Sequence, residues 1–279
     1  MEELLALIGL ESELHTATST LRRTVERDRP AVVGALHVTC SDEAEWETAA
    51  AFQRDFVERL LPSLKTGQKA AFRSVNLGSR YEAGACGVMV DHFAAAEAEH
   101  SAPDGLQTYV VKVNAHVGLL ETADGPVFGQ FLRFGRPSSC CGALTAAVGG
   151  NHSMPAFAEI ANSLSTIPDD AAAYVQENVP QSLRMLYFAV LHAQRQAYSA
   201  SLELARAVSE LREKRVRCYV AAGVAVNRSG PDTEVVVGVT RFDKAPGATP
   251  SEPESHGLGT DPRRYRVGFD LSRFRITRQ

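Results

Sequence analysis

The chain has 279 residues, and its 29 basic against 33 acidic side chains leave a formal net charge of −4. That length allows one large core or two small ones, and no basic stripe interleaved with aromatics marks it for nucleic acid. No apolar run reaches the about 18 residues of a membrane span, and the acidic opening MEELLALIGLESELH is unlike a basic secretory start. Five cysteines, two of them adjacent, fit reduced thiols in a cytoplasm better than a disulfide framework.

In chain order, residues 2–28 predict a helix with a partial stripe of Leu4, Leu7, Leu14 and Leu21, stopped by Pro30. The run AVVGALHVTC predicts a buried parallel strand over 31–39. Ser41 or Asp42 then caps a helix reaching about Leu61. A short strand over Ala70–Val75 leads into a helix opened by Gly78 and Ser79. A strand over 108–117 follows, joined through the ADGP turn to another over Val127–Phe134, so that pair is expected to be antiparallel. Helical patterns fill Gly142 to Arg215, with breaks near Asn151 and at Pro168 and Pro180. CYVAAGVAVN and TEVVVGVTRF read as a hairpin. Residues 243–262 read as a flexible surface loop, and YRVGFDLSRFRI as a closing strand. Strands alternating with helices argue an α/β fold whose mixed sheet is covered by helices.

Chemistry-bearing residues fall at strand ends. Cys40 closes the first apolar run and Asp42 follows it; His116 stands near the end of TYVVKVNAHVG; Cys140 and Cys141 lie on SSCCGAL at the mouth of a helix. The carboxyl edge of a sheet is where open α/β folds put ligands. Two thiolates and one imidazole are a zinc ligand set that leaves a fourth position open. Each residue also has a plainer reading. A strand-end cysteine is often a small buried hydrophobe, a lone strand histidine a satisfied core residue, and Asp42 a helix cap. His37, three residues before Cys40 in a strand, faces the opposite side and cannot share an ion with it.

At these residues the sequence resembles the LCIB (limiting-CO2-inducible B) family, the theta-class carbonic anhydrases, relatives of the β-carbonic anhydrases. The β class carries Cys-x-Asp-x-Arg after its first strand and His-x-x-Cys-Gly after a later one, and the LCIB proteins separate the second pair. Cys40-Ser41-Asp42 matches the first half, and His116 with a thiol of SSCCGAL matches the separated second half.

The resemblance implies one domain over 1–279, with an N-terminal helical arm over 1–29. It implies a β-carbonic-anhydrase-like mixed sheet with a mostly parallel core flanked by helices, and a homodimer at least. It further implies a Zn2+ ion on Cys40, His116 and Cys140, with Cys141 as the alternative. Hydroxide formed at that zinc would attack CO2 to give bicarbonate. Asp42 would orient the nucleophile, or bind zinc itself and shut the site. The β-class arginine falls at Ala44, so either Arg80 takes over as the partner of Asp42 or the dyad is weakened. Two readings from other classes stand beside this one: a metal-free racemase using Cys40 and Cys140, and a catalytically weak zinc-bound regulator.

Overall fold

The computed structural model describes residues 17–42, 68–100, 105–151, 153–165, 177, 179–227, 233–250 and 254–256. The expected helix after Asp42, Ala44, the first part of the N-terminal arm and the closing strand lie outside the described residues.

Helix α1 spans Ala17–Asp28, and strand β1 spans Val32–Cys40. All nine residues of β1 are buried, as expected of a parallel strand covered on both faces. β2 (Gln68–Asn76) and β3 (Leu106–Thr122) flank it, both parallel to it. β7 (Arg215–Asn227) lies parallel beyond β3, and β8 (Thr233–Lys244) and β9 (Glu254–His256) add antiparallel edges. The order is β2-β1-β3-β7-β8-β9. This is an α/β fold with a mixed sheet, mostly parallel at its core, and five helices among the described residues flank it.

Several expected boundaries shift. β4 (Gly125–Phe128) pairs antiparallel with β3 across the expected turn, but the run to Phe134 breaks at Gly129. Beyond it, β5 (Gln130–Arg133) and β6 (Arg136–Ser139) form a separate hairpin. The loop expected over 243–262 is not wholly irregular. Lys244 still belongs to β8, and β9 pairs back onto it.

Helix α2 (Ala85–His100) starts later than expected, because Gly78 and Ser79 hold left-handed φ angles of 69° and 56° in a 3-10 turn. α3 (Gly142–Val148), α4 (Pro155–Ser165) and α5 (Gln181–Ser209) complete the set. No helix among the described residues is long and apolar enough to cross a membrane.

Two apolar layers sandwich the sheet. On one face α2 and α5 pack Met89, Phe93, Leu191 and Leu204 against Leu36, Val38, Val111 and Val113. Each such side chain contributes roughly 1.5–3 kcal/mol of burial. On the other, Val25 of α1 meets Val33, Ala35, Val110 and Tyr219. Asp28, at the end of α1, anchors that helix by accepting from Arg217 at 2.6 Å and from the Tyr219 hydroxyl at 2.6 Å.

Helix α5 also governs the segment after β2. Gln196 Oε1 accepts from Tyr81 N at 2.7 Å. Glu203 accepts from the backbone N–H groups of Gly84, Cys86 and Gly87 at 2.8, 3.1 and 3.2 Å. Those donors have no partner inside α2, and a carboxylate there also complements the helix dipole. Replacing Glu203 with alanine should cost about 1–2 kcal/mol in urea unfolding, and Glu203→Gln should cost less, in the range of helix caps. Unchanged stability in the alanine variant would rule out this clamp.

Candidate metal centre

The site lies where β1 and β7 reach their carboxyl ends beside the middle of β3 and the turn that follows β2. β1 ends on Cys40, whose Sγ accepts from Gly78 N at 3.2 Å in the turn after β2. The backbone N–H of Asp42 is directed at the same sulfur. β3 runs on past the end of β1, which places His116 beside Cys40. β7 ends on Asn227, whose Oδ1 lies 2.9 Å from His116 Nδ1. With Nδ1–H donating to that oxygen, Nε2 is left as the basic nitrogen; it is buried and has no hydrogen-bond partner.

The adjacent cysteines arrive from the hairpin side. Gly118 N donates to Cys140 O at 2.8 Å. A Cβ at Gly118 would stand 2.9 Å from the Cys140 Cβ and 2.8 Å from the Gln130 backbone, so glycine is what admits this approach. Ligand atoms of Cys40, His116 and Cys141 lie within 4.8 Å of one another, as do those of Asp42, His116 and Cys140. The Cys40 and Cys141 sulfurs are 3.9 Å apart. Cys140 Sγ sits 3.4 Å from His116 Nδ1 and donates to Asn227 Oδ1 at 3.5 Å. Cys141 therefore completes the sulfur pair with Cys40, while Cys140 stands by the imidazole nitrogen already occupied.

Charge is shared unevenly. Cys40 is pulled down to about 4, chiefly by its hydrogen bond with Cys141 and further by His116, against the opposing pull of burial. The same bond pushes the Cys141 thiol well above its usual value. Burial alone would lower His116, but the charge and hydrogen bonds of the surrounding thiols hold it well above an ordinary histidine.

No family model matches the chain, and no curated protein matches it. Among solved structures, a histidine-to-alanine mutant of PtLCIB4, a homologue of the limiting CO2-inducible protein LCIB, superposes with a TM-score of 0.50. Its identity is 19%, over 81% of this chain and 86% of that one. The chain has the LCIB fold. LCIB itself superposes at 0.49 with 12% identity over 81% and 88% of the two chains. A β-carbonic anhydrase from Coccomyxa, in complex with acetazolamide, gives 0.39 with 14% identity over 78% of each.

Within this LCIB fold, Cys40, Asp42, His116, Cys140 and Cys141 converge. Arg80 does not join them. It pairs with Glu159, because the left-handed turn at Gly78 and Ser79 redirects the chain before Arg80 is reached. Arg133 of the β5–β6 hairpin holds Asp42 instead, with Nη2 donating to Oδ1 at 3.0 Å, and it rests over the Phe131 ring at 5.4 Å. Sequence reasoning also missed Asn227. It had a signal, since Asn227 ends an apolar strand run just as Cys40 does.

The folded value of Cys40 lies below that of an unfolded thiol, about 8.5. Its thiolate therefore contributes stability that is present above the unfolded value and is lost as pH falls through about 4. Metal-free protein at mildly acid pH should still show the ultraviolet absorbance of one thiolate, and Cys40→Ser should abolish it. Absorbance that develops only near the ordinary thiol range would contradict this charge arrangement.

Proposed function

We propose that the chain is a zinc-dependent carbonic anhydrase that reversibly hydrates CO2 to bicarbonate, its metal held by Cys40, His116 and Cys141. The carrying observation is this soft-donor cluster within 4.8 Å, next to a carboxylate anchored by an arginine. The buried, unpartnered Nε2 of His116 and the low-lying Cys40 thiolate suit a metal ion. Two thiolates and an imidazole match zinc with an open fourth position. Zinc bound there would supply the Lewis acidity that, in carbonic anhydrase as generally known, brings water from about 15.7 to about 7.

The chain's own residues do the rest. Asn227 fixes the tautomer of His116, and the N–H groups of Gly78 and Asp42 stabilise the charge on Cys40. Asp42, 17% exposed, accepts a hydrogen bond from the attacking water and aims its lone pair at CO2. Arg133 holds that carboxylate in its working rotamer through a charge-assisted bond. This is the role that the resemblance assigned to an arginine, supplied from a different part of the chain.

We further propose that the enzyme is cytoplasmic and at least a homodimer. Its five cysteines are all free and buried, which suits a reducing compartment. Phe134, 96% exposed at the hairpin tip beside Arg133, offers an apolar residue to a second subunit. Light scattering at micromolar concentration should give at least twice the chain mass.

Purified protein should carry one zinc per chain. Cys40→Ala, His116→Ala and Cys141→Ser should lose it, and Cys140→Ser should retain most of it. Stopped-flow measurement on the wild type should show CO2 hydration, and Asp42→Asn should keep zinc but lose most of that activity. Arg133→Ala acts through the same carboxylate, so the double variant should lose little more than the worse single one. Zinc without hydration in the wild type would turn the reading to a regulatory relative, and absence of zinc would turn it to cysteine-pair chemistry.

A further inference from the structure

One buried histidine stands behind the site with no role in the account above. His192 lies in the most deeply buried stretch of α5, 1% exposed, and its Nε2 is 2.7 Å from the carbonyl oxygen of Gly78. Burial holds it down at about 4, so the ring is neutral and Nε2–H is the donor. Nδ1 is buried with no hydrogen-bond partner. A neutral histidine in a helix core is a costly way to satisfy one carbonyl, since its other ring nitrogen is left buried and unpaired.

The carbonyl it holds belongs to the residue whose N–H donates to Cys40 Sγ. Gly78 has φ 69° and ψ 22°. A Cβ there would meet Ile160 Cδ1 at 2.5 Å. Ile160, itself fully buried, thus closes one side of the turn, and His192 pins the other through the carbonyl. With φ and ψ fixed, the direction of the Gly78 N–H is fixed too.

We propose that His192 is a positioning residue of the metal centre: by holding the Gly78 carbonyl it aims the Gly78 N–H at Cys40 and so sets the electron donation of that sulfur to the metal. The inference rests on the metal reading above for its consequence and on the His192–Gly78–Cys40 geometry for its cause. An N–H bond to a ligating thiolate withdraws charge from the sulfur. The metal is left more electron-poor, which is how surrounding hydrogen bonds tune a metal site. Gly78 is thereby a relay with both of its backbone polar groups engaged.

The test uses the cobalt-substituted protein and its sulfur-to-cobalt charge-transfer band, together with the Gly78 amide proton resonance of the metal-free, glycine-labelled protein. His192→Leu should move the band to longer wavelength and the amide proton upfield. His192→Gln, whose side-chain N–H falls where Nε2 was, should return both towards wild type. His192→Asn, whose shorter amide cannot reach the Gly78 carbonyl, should behave as leucine does; it decides the matter if the leucine variant does not fold. A band and an amide resonance left in place by a folded His192→Leu or His192→Asn would overturn the proposal, because a residue that only fills the core would leave both unmoved. If the wild type takes up no cobalt, the metal reading falls, and the glycine resonance alone decides whether His192 aims the N–H.

Discussion

His116 is buried with two ring nitrogens, and the Asn227 amide oxygen 2.9 Å from Nδ1 decides what each of them can do. A neutral imidazole donates from one nitrogen and accepts at the other. Once the ring is neutral, committing Nδ1–H to Asn227 makes Nε2 the acceptor, and Nε2 is the buried atom without a partner. The rest of the centre depends on that assignment. The register of β3 against β7 enforces it, pairing His116 with Ala225 and bringing Asn227 opposite Gly118. Gly118 in turn is the residue whose lack of a side chain lets Cys140 approach. One stretch of parallel pairing thus fixes both the histidine tautomer and the seat of the two cysteines.

The two donor sets that share His116 differ in chemistry. Cys40, His116 and Cys141 are soft and fully buried, whereas the set of Asp42, His116 and Cys140 includes a carboxylate that is partly exposed. Soft thiolates favour zinc over hard cations. Asp42 also accepts from Arg133 at Oδ1, at 3.0 Å. Such a bond is partly screened because Arg133 is 31% exposed, so its worth lies in direction more than in strength. Arg133 keeps the carboxylate beside the Cys40, His116 and Cys141 cluster.

Much of this centre was legible in the sequence, for a definable reason. Cys40 and His116 each end or nearly end an apolar run, and in a parallel sheet such ends gather at one edge; Asn227 carried the same signal but was passed over. Burial on both faces made the runs of β1, β3 and β7 readable without alternation. What escaped was set by turns. The left-handed pair Gly78–Ser79 delays α2 and carries Arg80 away to Glu159. The break at Gly129, where φ is 93°, converts one expected strand into two and creates the hairpin that delivers Arg133. The choice between Cys140 and Cys141 could not be read from adjacency, because both follow the same strand and differ only in how the backbone turns between them. His192 was invisible because a histidine on an α-helix carries no signal of what its imidazole touches across the core.

Proton accounting connects the site to its surroundings. A ligand must be deprotonated to bind a metal ion. The surroundings favour loss of the proton from Cys40 and hold those of Cys141 and His116 above their ordinary values. On the metal reading proposed above, binding would displace protons from Cys141 and His116 rather than from Cys40, and affinity would rise with pH through those two groups. The same proton distribution lets the cluster tolerate burial. A thiolate, a thiol and an imidazolium can neutralise one another, whereas two bare thiolates 3.9 Å apart would repel strongly in a medium of low dielectric constant. The hydrogen bond between Cys40 and Cys141 thus holds the sulfur pair together.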